Sequence, residues 1–368
     1  MGTRTRNFAN NILSGGTIDG TDFLSGAVAA PNINNTTAEN VDSIPSISNV
    51  ISPVAGDPPS PALGDIWYNS STNVLKFQGL SASAWATAPS LPYSTRDASG
   101  FGTQTAGVIF GGTTPSYVST VNEYNGTSFT TVTSIPQAIG GLDSDGPQTA
   151  GLTAGGNTPG SGPLNNVSSF DYNGSTWTSN SNLNVARTGH ATIGNTAAQT
   201  AAIAISGEPN TTTTSEYDGS TWTVGAAVPG WAQGTSGGGT TSAAFVNGNV
   251  GDGDETYDYN GTTWSSGNNS NHQHNYGGAG GLATAGITFG GVQVPNPGAR
   301  TAQAELYDGT SWTSDASMNE ARSNAHGKAT ISASSVLVAS GNPGPPGSSN
   351  AAEEYTGGAE IATTFTTD

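Results

Sequence analysis

The chain contains no cysteine. That one absence removes disulfides, thiolate metal sites and cysteine nucleophiles. Basic residues are nearly as scarce: eight Lys and Arg stand against 26 Asp and Glu, for a formal net charge of −18. With no basic stripe to neutralise phosphates, neither nucleic-acid binding nor attachment to an anionic membrane is expected. Charged residues of both signs make up only 9% of the 368 positions, which argues against a disordered chain. No apolar run approaches the ~18–20 residues a membrane span needs. Residues 1–16, MGTRTRNFANNILSGG, lack the uninterrupted apolar core of a secretory signal. Helical periodicity is missing too, because the 53 glycines are spread throughout and no apolar face persists beyond a turn or two.

What the chain does contain is a repeat. Tyr124–Phe129 reads YNGTSF, Tyr172–Trp177 YNGSTW, Tyr217–Trp222 YDGSTW, Tyr259–Trp264 YNGTTW and Tyr307–Trp312 YDGTSW. A truncated copy, YTGG, starts at Tyr355, and an earlier relative is Phe77-Gln78-Gly79 with Trp85. The motif tyrosines recur every 42 to 48 residues. β-type units of that length predict propeller blades, since solenoid repeats are generally shorter. The 7 Trp, 11 Tyr and 10 Phe fall mostly in phase with the repeat, as expected of a core built from aromatics. Asn-Gly or Asp-Gly fits a tight hairpin because both positions tolerate φ > 0. The Tyr therefore ends one strand and the Trp opens the next.

The rest of each unit is ordered as well. An apolar-Pro or apolar-Asn pair follows the aromatic, as in Leu91-Pro92 and Leu183-Asn184. Three units then carry an arginine: Arg96, Arg187 and Arg322. A small-residue strand ending in glycine comes next, TAGVIFGG at 105–112 and TAGITFGG at 284–291. The fourth unit, TTSAAFVNGN, lacks the double glycine, and the second and fourth lack the arginine. These features predict an all-β propeller over residues 62–368, with about six four-stranded blades in a range of five to seven. Residues 1–61 hold no copy of the motif and end in a Pro-rich stretch, which reads as an extended arm with a stiff linker. Residues 64–79, GDIWYNSSTNVLKFQG, read as a hairpin that supplies the first outer strands or closes the ring.

The small-residue strand with its double glycine, the later aromatic and the arginine resemble kelch repeats. The blocks TQTAGVIFGG and NEYNGTSF, with GDIWYNSSTNVLK ahead of them, more closely resemble tandem blocks of marine phage virion structural and tail-fibre-like proteins. The resemblance spans about residues 64–357. It implies a virion protein whose arm, residues 1–61, docks on capsid, tail or fibre partners and whose propeller faces outward. Adhesion or decoration, with host-surface glycans as ligands, is the function it implies. Fold analogy alone does not give function.

Chemistry-bearing residues are few. SEYDGSTW at 215–222 resembles the Asp-box of sialidases, but its Asp stands one place late, and that box is structural in any case. A copper oxidase of the kelch type needs a Cys-linked Tyr, which this chain cannot make. Arg96, Arg187 and Arg322 recur at one repeat position, so they read as blade-to-blade hydrogen-bonding residues. His272 and His274 could present two imidazoles on one strand face. Yet His274 stands at the arginine position, and His190 and His326 follow Arg187 and Arg322 by three and four residues. Repeat phase accounts for all four histidines. Asp252, Asp254 and Glu255 lack the rest of an oxygen-ligand loop for Ca²⁺ and read as a solvated turn. Asn125 and Asn173 fit glycosylation sequons but read as turn residues. No catalytic, cofactor or metal residue is therefore expected, and the chain is expected not to be an enzyme. The alternative is a glycan hydrolase or lyase on the same scaffold.

Overall fold

A computed structural model describes residues 53–160, 166–194, 198–209, 212–230, 233–249, 251, 253–293, 299–324, 328–344 and 347–364. Most of the expected arm, His326 and Asp252 lie outside them. The described strands form seven four-stranded sheets, and the one helical element beside them is a 3-10 turn at Ala198–Thr200. The chain divides into two compact units, one of residues 1–82 with 358–368 and one of residues 83–357. The division falls after Ala82, whereas the sequence suggests a break after residue 61.

The larger unit holds six of the sheets, one per blade. Their innermost strands are Ser99–Thr103, Asp143–Asp145, Ala191–Gly194, Ser236–Thr240, Gly278–Leu282 and Lys328–Ser332. Each touches the next, and the last touches the first, so the ring is closed. Numbered in this order, blades 1 to 5 take all four strands from consecutive sequence. Blade 6 takes its outermost strand, Ala84–Ala88, from ahead of blade 1. This corrects the role expected of residues 64–79. Their hairpin, Ile66–Asn69 with Val74–Leu80, pairs instead with Pro53–Val54 and Glu360–Thr364 in the sheet of the smaller unit.

Glycine in the inner strands answers to crowding at the axis. A Cβ on Gly238 of blade 4 would lie 2.6 Å from the carbonyl carbon of Gly280 in blade 5. No side chain fits there, which is why the inner strands read SGGGT and GAGGL.

The repeated motif fastens each blade to the one before it. Tyr172 pairs with Trp177 across a four-residue loop, their rings 4.7 Å apart between centroids. In that loop only the glycine is left-handed, Gly174 at φ +90°, while the Asn173 carboxamide accepts the N–H groups of Ser175 and Thr176. The turn is thus capped by its Asn, as at Asn125, and is not a two-residue hairpin. The tyrosine hydroxyl then reaches the carboxylate that precedes the motif Tyr in the previous blade. Tyr172 donates to Glu123 at 2.7 Å, Tyr259 to Glu216 at 2.9 Å, Tyr307 to Asp258 at 3.0 Å, and Tyr124 to Glu354 at 2.7 Å. In blade 5 the carboxylate position holds Leu306, and Asp315 accepts from Tyr355 instead, at 2.5 Å. Indole N–H groups follow the same direction: Trp264 donates to Thr214 and Trp312 to Thr256. Gln148 of the second blade donates to the carbonyls of Gly107 and Tyr124 in the first, and Gln104, the Gln of TQTAG, donates to Tyr355 O of blade 6 in the same way.

The truncated copies at Trp85 and Tyr355 are two halves of one motif. Tyr355 and Trp85 are directly paired, with ring centroids 5.2 Å apart, as the hairpin residues are in every other blade.

Candidate functional site: the axial pocket

Six residues, one ahead of each inner strand, form a belt around the axis: Asp97, Gly141, Gly189, Gly234, Tyr276 and Asn324. All six have left-handed backbone, with φ between +53° and +73°. Gly141 donates its N–H to Asp97 O, Gly189 to Gly141, Gly234 to Gly189, Tyr276 to Gly234 and Asn324 to Tyr276, at 2.7–2.9 Å. At the sixth junction the Asn324 carboxamide donates to Asp97 Oδ1 at 2.6 Å. Glycine adopts this conformation at no steric cost, whereas it strains Asp, Asn and above all Tyr. Blades 2, 3 and 4 use glycine, while blades 5, 6 and 1 place side chains at the axial mouth.

Those side chains line a cavity of about 200 Å³ together with Tyr117, Asn157 and Glu208. The Tyr276 ring lies over the glycine half of the belt. A Cβ on Gly234 would stand 3.1 Å from it and one on Gly189 3.4 Å, so glycine at both positions makes room for an aromatic plate. Gln233 holds the plate, donating to the Tyr276 oxygen at 2.8 Å and also to Glu208. Burial, with the nearby charges of Glu208 and Asp97, raises the Tyr276 phenol above its usual range and keeps it protonated. Tyr117 packs over Gly140 on the other side; burial and the Asp97 charge raise it in the same direction. Asn157 donates to Thr188 at 3.2 Å, and its buried Oδ1 accepts no hydrogen bond among the described residues.

Glu208 and Asn157 occupy one repeat position, the residue after the terminal glycine of the second strand. There they bridge to Thr188 and Gly140 of the entry segments. A second, smaller cavity between the inner strands, about 70 Å³, is lined half by glycine.

The residues singled out in the sequence go elsewhere. Arg187 and Arg322 are fully buried. Arg187 donates to the carbonyls of Ala204, Ser206 and Thr213 and to Ser215 Oγ. Arg322 donates to the carbonyls of Ser340 and Ala351 and to Glu353. All these partners belong to the blade that the arginine leads into, so these residues lock strands within a blade and do not tie blade to blade. Burial without a carboxylate partner lowers Arg187 to about 10, still charged at neutral pH. His274 stands at the same position and is equally buried, between Gly290 O at 2.8 Å and Glu305 at 3.1 Å. Burial opposes ionisation of Glu305, but its bonds from His274, Asn271 and the His272 N–H prevail and lower its pKa.

Arg96 is one residue out of phase; its side chain is 39% exposed and lies 3.6 Å from Asp97. His190 is buried inside blade 3. The Glu255 carboxylate accepts from Tyr257 and Asn249, and the Asp254 carbonyl accepts from Ser270. Among the described residues, no three His, Asp or Glu side chains converge as metal ligands would.

Sequence reasoning missed the axial side chains. The signal was present once units are aligned at the inner-strand entry: one position reads Asp, Gly, Gly, Gly, Tyr, Asn. The exceptions to glycine are the pocket residues.

No protein-family model and no curated protein matches the chain. Among solved structures 286 chains match; one is YjhT, 13% identical with a TM-score of 0.57, over 75% of this chain and 99% of that one. At that identity the likeness establishes the fold alone. The larger unit is a β-propeller.

Proposed function

We propose that this chain is a non-catalytic recognition propeller of a phage particle, anchored through residues 1–61 and binding host-surface saccharide at its axial mouth. The observation that carries the saccharide reading is the axial pocket, where blades 5, 6 and 1 spend left-handed backbone strain on Tyr276, Asn324 and Asp97 although glycine serves the other three. A flat aromatic ring ringed by amide and carboxylate groups suits a sugar, which offers an apolar C–H face and hydroxyls at its edge. Of the five described non-glycine residues with left-handed backbone in the larger unit, three stand at this mouth, and such strain clusters at ligand sites. The virion setting rests on the resemblance of the repeat blocks. It fits a surface with few bases and a rigid scaffold that displays loops.

Two experiments test the two halves. Purified protein should bind host envelope polysaccharide, and Tyr276→Ala should abolish that binding without loss of fold; binding unaffected by the variant refutes the site. Deleting residues 1–61 should abolish incorporation into particles, and particles that still carry the truncated chain refute the anchor.

One observation favours a second reading, a glycan hydrolase: Asp97 and Glu208 place two carboxylates on one cavity. Glycosidases work with such a pair. Release of reducing sugar from host glycan, lost in Glu208→Gln, decides for the enzyme.

A further inference from the structure

We infer that the axial pocket selects a single terminal sugar that is neutral or carries an amine, and rejects acidic sugars. This rests on the saccharide reading above and adds the ligand class. Size gives the first part. About 200 Å³ is below the roughly 300–1,000 Å³ of drug-sized sites, which leaves room for one ring and not for an extended chain.

Charge and hydrogen-bond polarity give the second. The lining offers acceptors: the carboxylates of Asp97 and Glu208 and the buried, unengaged Oδ1 of Asn157. One N–H of each lining amide is engaged, Asn324's by Asp97 and Asn157's by Thr188, and the remaining amide and phenol donors are uncharged. The lining contains no Lys, Arg or His. Arg96, the cation beside the mouth, already faces Asp97. The two other arginines of the repeat are sealed inside blades 3 and 6. A ligand carboxylate or sulfate would thus meet two like charges and no free cationic donor. Hydroxyls and an ammonium group meet the acceptors they need, and an ammonium makes charge-assisted bonds, the stronger kind. The net charge of −18 acts in the same direction at long range.

The test compares glucosamine, glucose and glucuronate by calorimetry and saturation-transfer NMR. Three proteins are used at full length: wild type, Tyr276→Ala and the Asp97→Asn/Glu208→Gln pair. Asn tolerates left-handed backbone, and near-UV circular dichroism checks that each variant is folded. The expected result is glucosamine binding at least about tenfold tighter than glucuronate. The carboxylate variant should erase that preference. Glucuronate binding as tightly as glucosamine at a site that Tyr276→Ala destroys overturns the selection and leaves the saccharide reading standing. No binding by any of the three overturns both.

Discussion

Replacing Arg322 by Met isolates the device that locks a blade. The guanidinium is fully buried and donates at 2.9 Å to Ser340 O, at 2.9 Å to Ala351 O and at 2.5 Å to Glu353. Met fills much of the same volume but leaves the Glu353 carboxylate, 3% exposed, without its cation. Glu353 would keep only the N–H groups of Asn319 and Glu320, at 2.6 and 3.2 Å. Breaking a buried pair from one side costs about 3–5 kcal/mol, because the remaining charge stays desolvated. For a domain of this size that lowers Tm by on the order of 10 °C. Combining Arg322→Met with Glu353→Gln removes the stranded charge and keeps a side-chain oxygen for one of the two N–H groups. The double variant should recover a large part of the loss. Urea denaturation of the three proteins measures this directly. A single variant costing less than about 1 kcal/mol, or a double variant less stable than the single, refutes the argument that the buried charge pair locks the blade.

Four further outcomes follow from the same geometry. Gly174→Val forces a β-branched residue to φ +90° and should cost at least about 1–2 kcal/mol by thermal melting, with no effect specific to ligand binding. A double-mutant cycle of Tyr172→Phe and Glu123→Gln should show a coupling of about 1 kcal/mol across blades 1 and 2, and zero coupling counts against the blade-to-blade bond. Asp218 accepts the N–H groups of Thr221 and Ser220 and is lowered from 3.8 to about 2. Because its folded pKa lies below the unfolded one, its contribution is complete above about pH 4 and lost as pH falls through about 2; in Asp218→Asn that part of the acid transition should be absent. Tyr276→Gly relieves the left-handed strain at φ +55°, so it should leave Tm unchanged or raised while saccharide binding is lost.

The repeat was legible because its parts are local. Tyr, Asn-Gly and Trp stand within six residues, and the phase of five copies sets the blade count that the sheets bear out. The partner of each Tyr was not legible, since Tyr172 and Glu123 stand 49 residues apart and meet only when neighbouring sheets pack. The same holds for Arg187, whose partners lie 17 to 28 residues on, inside its own blade. The closing strand illustrates the limit further. Both Trp85 and Tyr355 are visible as broken copies, but only the ring brings the two ends together, 270 residues apart along the chain.

By itself, then, the sequence determined the all-β class, the unit length and the absence of thiol chemistry or a basic surface, because periodicity and composition act locally or in sum. Tertiary structure decided the axial pocket. Asp97, Asn157, Glu208, Tyr276 and Asn324 come from five blades and share no local motif. Closure of the ring brings them to one axis, where a glycine and a tyrosine at the same repeat position stop being equivalent.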